Sequence, residues 1–99
     1  MRPSDFIKQG WCQGASAKDL LGIVCPPSNP HATQWCTIGA IQAAYPEDED
    51  KRAVTAERLR HTLRSDDPAR TTSMSLAIWN DIPHRTQAEV ITALQAIGE

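Results

Sequence analysis

The clearest amphipathic pattern in the chain lies at residues 86–97. Thr86 and Glu89 stand three residues apart and can form a capping box, in which each side chain binds the other residue's main-chain N–H. Four apolar residues then recur at the spacing of one helix face. They are Val90, Ile91, Leu94 and Ile97. The pattern predicts a terminal helix that closes at Gly98.

A longer helix is predicted over residues 30–45. Asn29 can accept hydrogen bonds from the first free N–H groups of a helix, and Pro30 suits the first helical position, where no donor is needed. Apolar residues occupy most of this segment, so we expect it to be the central helix. It ends near Tyr45, because Pro46 disfavours the α conformation in the residue before it.

Three further segments have helical composition. They are residues 4–9, 46–67 and 73–81. Residues 18–25 form an apolar run interrupted by Gly22, which predicts either a short β-hairpin or an extended loop packed on the helices. The expected fold class is mainly α, a compact single domain of residues 1–99 with about five helices and at most a short hairpin near residues 18–25.

Tryptophan is conspicuous in this small chain. The sequence has 99 residues, 40% of them hydrophobic, and much of that fraction is alanine. An indole can bury on the order of 150–250 Å², so three of them form a large share of a small core. We expect at least two of Trp11, Trp35 and Trp79 to be buried.

The composition disfavours several classes of protein. A formal net charge of −2 provides no basic field for phosphate, which argues against nucleic acid as a partner. No apolar run approaches the roughly 20 residues of a membrane span, and the first residues lack the apolar stretch of a secretory signal. Three cysteines without a CxxC pair are typical of a reducing compartment, so we expect a cytoplasmic protein.

Cys36 raises the main chemical question of the sequence. One hypothesis is a cysteine-dependent hydrolase or transferase with Cys36 as the nucleophile. The candidate bases, and the groups that would orient them, are His84 or His31 and Asn80 or Asp81. A helix N-terminus commonly lowers the pKa of such a thiol. In a helix that begins at residue 30, however, Cys36 lies about two turns inside and receives little of that help.

Two other roles for Cys36 are open. A zinc site would draw on Cys12, Cys25 and His31, yet structural zinc ligands usually come in pairs two to four residues apart, and that spacing is missing. We therefore expect no metal and no cofactor. The remaining hypothesis is a small buried hydrophobe, with Gly39 allowing another element to approach the helix closely. We favour this structural role.

Charge is concentrated after the central helix. An acidic run enters the predicted third helix and arginines follow towards its end, which complements the helix dipole. Together they form the candidate partner-binding surface. Its residues are Glu47, Asp48, Glu49, Asp50, Arg58 and Arg60. Because no catalytic or cofactor motif is recognisable, the expected function is that of a small non-enzymatic module that binds a protein.

Four short stretches, GWCQG, WCTIGA, WND and RTQAEV, occur in this order between Gly10 and about Leu94. Their combination resembles a small family of unknown function found in bacteria and their phages. The resemblance implies seven signature positions and assigns none of them a role. They are Trp35, Cys36, Gly39, Ala40, Trp79, Asn80 and Asp81. With a bacterial or phage origin, the expected partner is a host protein, for example one of a CRISPR defence system that the chain would inhibit.

Overall fold

The computed structural model describes residues 1–65 and 67–99. Within these residues the chain forms five α-helices and two short β-strands. They are α1 (Pro3–Gln9), β1 (Ala17–Asp19), β2 (Ala32–Trp35), α2 (Thr37–Ala44), α3 (Glu49–Thr62), α4 (Thr72–Asp81) and α5 (Gln87–Ala96). The predicted fold class, a compact and mainly α unit with one antiparallel strand pair, is confirmed.

Helix α5 forms as its sequence predicts. The Thr86 N–H donates to Glu89 Oε1 at 3.0 Å, and the Glu89 N–H donates to Thr86 Oγ1 at 3.2 Å, so the capping box is present. Gly98 follows the helix with φ of +81°, the left-handed conformation that glycine adopts without strain. No helix in the described part of the chain has the length and apolar content needed to cross a bilayer.

The central helix α2 is shorter than predicted. Asn29 does not cap it, because Asn29 Oδ1 accepts from the N–H of His31 in a tight turn (2.8 Å). Residues 32–35 form β2, and the helix starts at Thr37 with Cys36 as its N-cap residue. Pairing with β1 gives these residues a ladder partner, and this tertiary contact overrides the local helix signals.

The predicted hairpin near residues 18–25 is present in a minimal form. Lys18 and Val24 form one antiparallel bridge, and the Cys25 N–H donates to the Ala17 carbonyl at 3.1 Å. On its other edge β1 pairs antiparallel with β2, with an irregular register after Lys18. The turn between the two arms of the hairpin does not pack on the helices.

Helix α2 lies at the centre of the fold, in contact with α1, α3 and α4, while α1 also packs on α5. The core between them is built from aliphatic side chains that lose all or nearly all contact with solvent. They are Ile7, Ile41, Leu59, Leu76, Val90 and Leu94. Full burial of such a side chain contributes about 1.5–3 kcal/mol, so this cluster supplies a large part of the hydrophobic stabilisation.

Trp35 alone among the three tryptophans, all of them described, is buried, so the expectation of two buried indoles was wrong. Its ring packs edge-on against Phe6 with centroids 5.0 Å apart, and its Nε1 donates to the Pro27 carbonyl at 3.1 Å. Trp11 and Trp79 are half-buried. An indole can pack one face against apolar side chains while its other face or its N–H meets solvent or a polar group. The sequence pattern does not show which tryptophans are only partly buried in this way.

Candidate functional site

Asn80 is the most heavily bonded side chain in the fold and is fully buried. Its Oδ1 accepts from Trp11 Nε1 at 2.8 Å, from the Thr37 N–H at 3.0 Å and from the Thr37 hydroxyl at 2.8 Å. Its Nδ2 donates to the Cys12 carbonyl at 3.1 Å. A buried amide with all these partners is satisfied, so it positions its neighbours.

The Asn80 amide acts as a substitute peptide group between two chain segments. Trp11 and Trp35 form a parallel bridge, and the Cys12 N–H donates to the Trp35 carbonyl at 3.2 Å. In a regular parallel ladder the next bond would join the Thr37 N–H to the Cys12 carbonyl. Asn80 binds both of these groups instead, so it continues the ladder at the point where the segments separate.

The side chains of Asp81 and Gln13 hold the loop that precedes β1 against the end of α4. Asp81 Oδ1 accepts from the Gly14 N–H at 3.1 Å and from Asn80 Nδ2 at 2.9 Å. Gln13 Nε2 donates to the carbonyls of Asn80 and Ile82, both at 3.0 Å. The stretches GWCQG, WCTIGA and WND therefore meet at one place, which we call the Asn80 hub, formed by residues 11–14, 36–37 and 80–81.

Cys36 lies at the N-terminus of α2 and is 6% exposed. This corrects the expectation that it sits two turns inside a helix. Its Sγ accepts from the Gly39 N–H at 3.3 Å and so caps the helix. Burial nevertheless raises the pKa of the thiol, because the loss of hydration outweighs the favourable N–H contacts of the helix end.

Gly39 makes room for the loop before β1. A Cβ atom at this position would lie 1.9 Å from the Ser16 carbonyl oxygen, which is too close for any side chain. The same oxygen accepts from the Cys36 N–H at 3.0 Å. The expected close approach at Gly39 is therefore confirmed, and it holds Ser16 directly against the helix N-terminus.

A cavity of about 380 Å³ lies beside the hub, with Cys36 and Asp81 in its wall. Of the residues proposed for catalysis, the structure brings Cys36, Asn80 and Asp81 together. No histidine is among the described residues that line the cavity. His31 and His84 are exposed, on the turns before β2 and α5. The wall thus offers a capped thiol and a carboxylate without an imidazole base.

The described residues contain no cluster of potential metal ligands. Among residues 1–65 and 67–99, no group of three or more His, Cys, Asp or Glu side chains is arranged to hold an ion. All three cysteines have free thiols.

Cys36 is expected to resist iodoacetamide at pH 6 in the folded protein. Burial raises the pKa of this thiol, so at pH 6 it holds less thiolate than an exposed cysteine, and labelling should rise with pH as the thiolate forms. Peptide mass spectrometry after timed alkylation measures the rate, with the urea-unfolded chain at the same pH as the control. Labelling of folded Cys36 that outpaces the unfolded control would show an activated thiol and contradict the expectation.

The predicted partner surface divides into two parts. Its acidic residues are all exposed. They are Glu47, Asp48, Glu49 and Asp50. The arginines form hydrogen bonds within the fold. Arg58 donates to the Ile97 carbonyl at 3.0 Å. Arg60 donates to the Ser65 carbonyl at 3.0 Å and the Thr72 hydroxyl at 3.1 Å, joining the ends of α3 and α4.

Among the described residues, the largest exposed apolar feature is one that the sequence pattern does not reveal. It is the turn at residues 20–24, here called the apolar turn. Its four aliphatic residues are exposed to 84%, 81%, 59% and 65%. They are, in this order, Leu20, Leu21, Ile23 and Val24. A short apolar run does not reveal whether it faces the core, although Asp19 followed by Gly22 is a turn signal that could have placed it at a tip.

No curated protein and no solved structure shows significant similarity to this chain. Over residues 5–99 the sequence matches the model of DUF6197, a family of unknown function. The matched range contains all of the Asn80 hub and the apolar turn. The chain therefore belongs to the DUF6197 family.

Proposed function

We propose that this protein is a small non-enzymatic interaction module that binds another protein through the apolar turn. The observation that supports this is the exposure of four neighbouring aliphatic residues, 59–84% each. They present on the order of 400 Å² of apolar surface, which is the size of the largest, often functional, patches on soluble monomers.

The apolar turn is held in one conformation by its own backbone. Asp19 Oδ1 accepts from the N–H groups of Leu21 (2.9 Å) and Ile23 (3.0 Å). The Gly22 N–H donates to the Asp19 carbonyl at 2.9 Å, and Gly22 has φ of +78°. A turn that is already ordered loses little conformational entropy on binding, so its exposed side chains suit a docking role.

The shape of the turn favours a concave partner. Two such tips from two copies of the chain would bury roughly 800 Å² in total, which is below the approximately 1,200 Å² of a stable specific interface. An apolar groove that surrounds the tip covers the same side chains more completely. We therefore assign the turn to a groove on a different protein.

The alternative function, a hydrolase or transferase using Cys36, has less support. Burial raises the pKa of this thiol, and its sulfur already accepts a hydrogen bond from Gly39. His84 and His31 are exposed and are not in the wall of the cavity that contains Cys36. The arrangement is that of a helix cap.

The proposal extends to the biological setting. The resemblance of the signature stretches to a bacterial and phage family supports an accessory protein that acts on a host protein, with an anti-defence inhibitor as one concrete form. Free thiols at all three cysteines support a reducing, cytoplasmic setting. The exposed acidic run at residues 47–50 offers a second, polar contact to the same partner.

The double substitution Leu20→Ser and Leu21→Ser is expected to weaken partner binding at least 100-fold. Each leucine contributes about 1.5–3 kcal/mol when buried, and tenfold in affinity corresponds to about 1.4 kcal/mol. The measurement is co-purification from lysate of the source cells, followed by titration of the recovered partner by calorimetry. The unfolding free energy should change little, because both residues are exposed.

The matched control is the double substitution Val54→Ser and Met74→Ser, at residues exposed to 54% and 50% on α3 and α4. It should leave binding unchanged. Equal partner recovery with the turn variant would contradict the proposal. A second outcome would also contradict it: the native chain sediments with lipid vesicles and the turn variant does not. The turn would then be a lipid-binding element.

A further inference from the structure

We propose that Cys12 and Cys36 form a covalent modification site, at which a small disulfide oxidant joins their sulfur atoms in a reversible intramolecular disulfide bond. The inference is independent of the apolar turn and of the partner that it binds. It rests on the register of two chain segments and on the cavity beside them.

The ladder places the two cysteines side by side. Trp11 and Trp35 form a parallel bridge, so the residues that follow them, Cys12 and Cys36, are in register. In-register residues of a parallel pair point to the same face, and neighbouring strands lie about 4.8 Å apart. A disulfide requires Cα atoms roughly 4.4–6.8 Å apart, a range that includes the spacing of neighbouring strands.

The same loop contacts both cysteines. Cys12 Sγ donates to the Ala15 carbonyl at 3.6 Å, and the Cys36 N–H donates to the Ser16 carbonyl at 3.0 Å. Burial raises the pKa of Cys12 to about 11, and Cys36 is the nearby group that contributes most to this rise. Cys25 lies on the edge of β1 that faces away from β2, where its N–H donates to the Ala17 carbonyl at 3.1 Å, so Cys36 is the expected partner.

Access sets the order of the two steps. Cys36 lines the 380 Å³ cavity, while Cys12 does not. With oxidised glutathione, the Cys36 thiolate attacks one sulfur of the oxidant and releases one reduced glutathione. The Cys12 thiolate then attacks the Cys36 sulfur and releases the second. Two protein thiols and one glutathione disulfide become one protein disulfide and two glutathione thiols, so atoms and electrons balance.

The bond would change the N-terminus of α2. Cys36 Sγ now accepts from the Gly39 N–H, and a sulfur turned towards Cys12 gives up that position. The loop at residues 11–14 would become covalently fixed to the start of α2. Asn80 already bridges these two segments by hydrogen bonds. Oxidation would add a covalent bond between them, which a reductant can cleave.

The test uses the full chain carrying Cys25→Ser, incubated with oxidised glutathione at pH 8. We expect a mass loss of about 2 Da that dithiothreitol reverses, and a Cys12–Cys36 cross-linked peptide in a non-reducing digest. The rate should rise with pH between pH 7 and 9, because burial raises the pKa of Cys36 and the thiolate fraction limits the reaction. The native chain is the control for the Cys25→Ser substitution. It should give the same Cys12–Cys36 peptide.

The variant Cys12→Ser identifies the first step. It should stop at a glutathione adduct on Cys36, whereas Cys36→Ser should leave Cys12 unmodified over the same time. Both thiols remaining free at pH 9, a stable glutathione adduct on Cys36 in the presence of Cys12, or a disulfide that contains Cys25 in the native chain would each overturn the proposal.

Discussion

Replacing Asn80 with alanine is expected to lower the free energy of unfolding by about 4 kcal/mol, because a buried group left without its partner costs roughly 1–3 kcal/mol. The substitution leaves the Trp11 indole N–H, the Thr37 N–H and the Cys12 carbonyl without the amide that joins them. Urea unfolding followed by tryptophan fluorescence measures the loss.

Two further variants separate hydrogen bonding from volume at this position. Asn80→Leu keeps a side chain of similar size and should lose nearly as much stability, since it cannot bind the same three polar groups. Gln95→Ala, at an exposed position on α5, should stay within about 0.5 kcal/mol of the native chain. A loss below about 1 kcal/mol for Asn80→Ala would show that the hub relaxes or admits water, and would refute its proposed role.

Replacing Gly39 with alanine is expected to destabilise the protein by about 3 kcal/mol, the upper range for overpacking. The sign is informative, because alanine in place of glycine within a helix normally stabilises by about 1 kcal/mol. Here the new Cβ atom would lie 1.9 Å from the Ser16 carbonyl oxygen and 2.8 Å from its carbon, so the main chain must move. Thermal unfolding by circular dichroism measures the change.

Gly14→Ala is the matched control for this prediction. Gly14 has φ of +79° and no atom within 4 Å of an added Cβ, so its substitution should cost only the conformational strain of about 1–2 kcal/mol. If Gly39→Ala proves as stable as the native chain, the close contact between Ser16 and α2 is not a constraint on the fold. A Gly14→Ala variant that loses more than Gly39→Ala would contradict the ranking.

Elements with signals at both ends were predictable from the sequence. In α5 a capping box, an apolar face and Gly98 all agree, and the structure has the helix where they place it. For α4 the helix was predicted correctly but its start was not: the predicted segment begins at Ser73, whereas Thr71 caps the helix by accepting from the Met74 N–H. Two hydroxyl residues so close together are equivalent in sequence, and the difference is set by packing.

Part of the candidate site could also be predicted. The sequence indicates Cys36, Asn80 and Asp81 as members of one candidate set, and the structure places them near one another. The role of Asn80 was not foreseen, although one signal was present: Asn80 follows Leu76 by four residues and so shares its buried helix face. Apart from the adjacent Asp81, the partners of its amide come from residues 11–37 and are invisible to any local pattern.

Taken alone, the sequence determined the helical class of the fold, the identity of four of its helices and the apolar face of α5, because caps and apolar periodicity act within a few residues. Tertiary structure decided the rest. It made residues 32–35 a strand, moved Cys36 to a helix end, buried Asn80 and left the apolar turn in solvent. Each of these outcomes depends on whether a distant segment supplies a ladder partner, a hydrogen bond or an apolar cover, and burial of that kind is a property of the assembled fold.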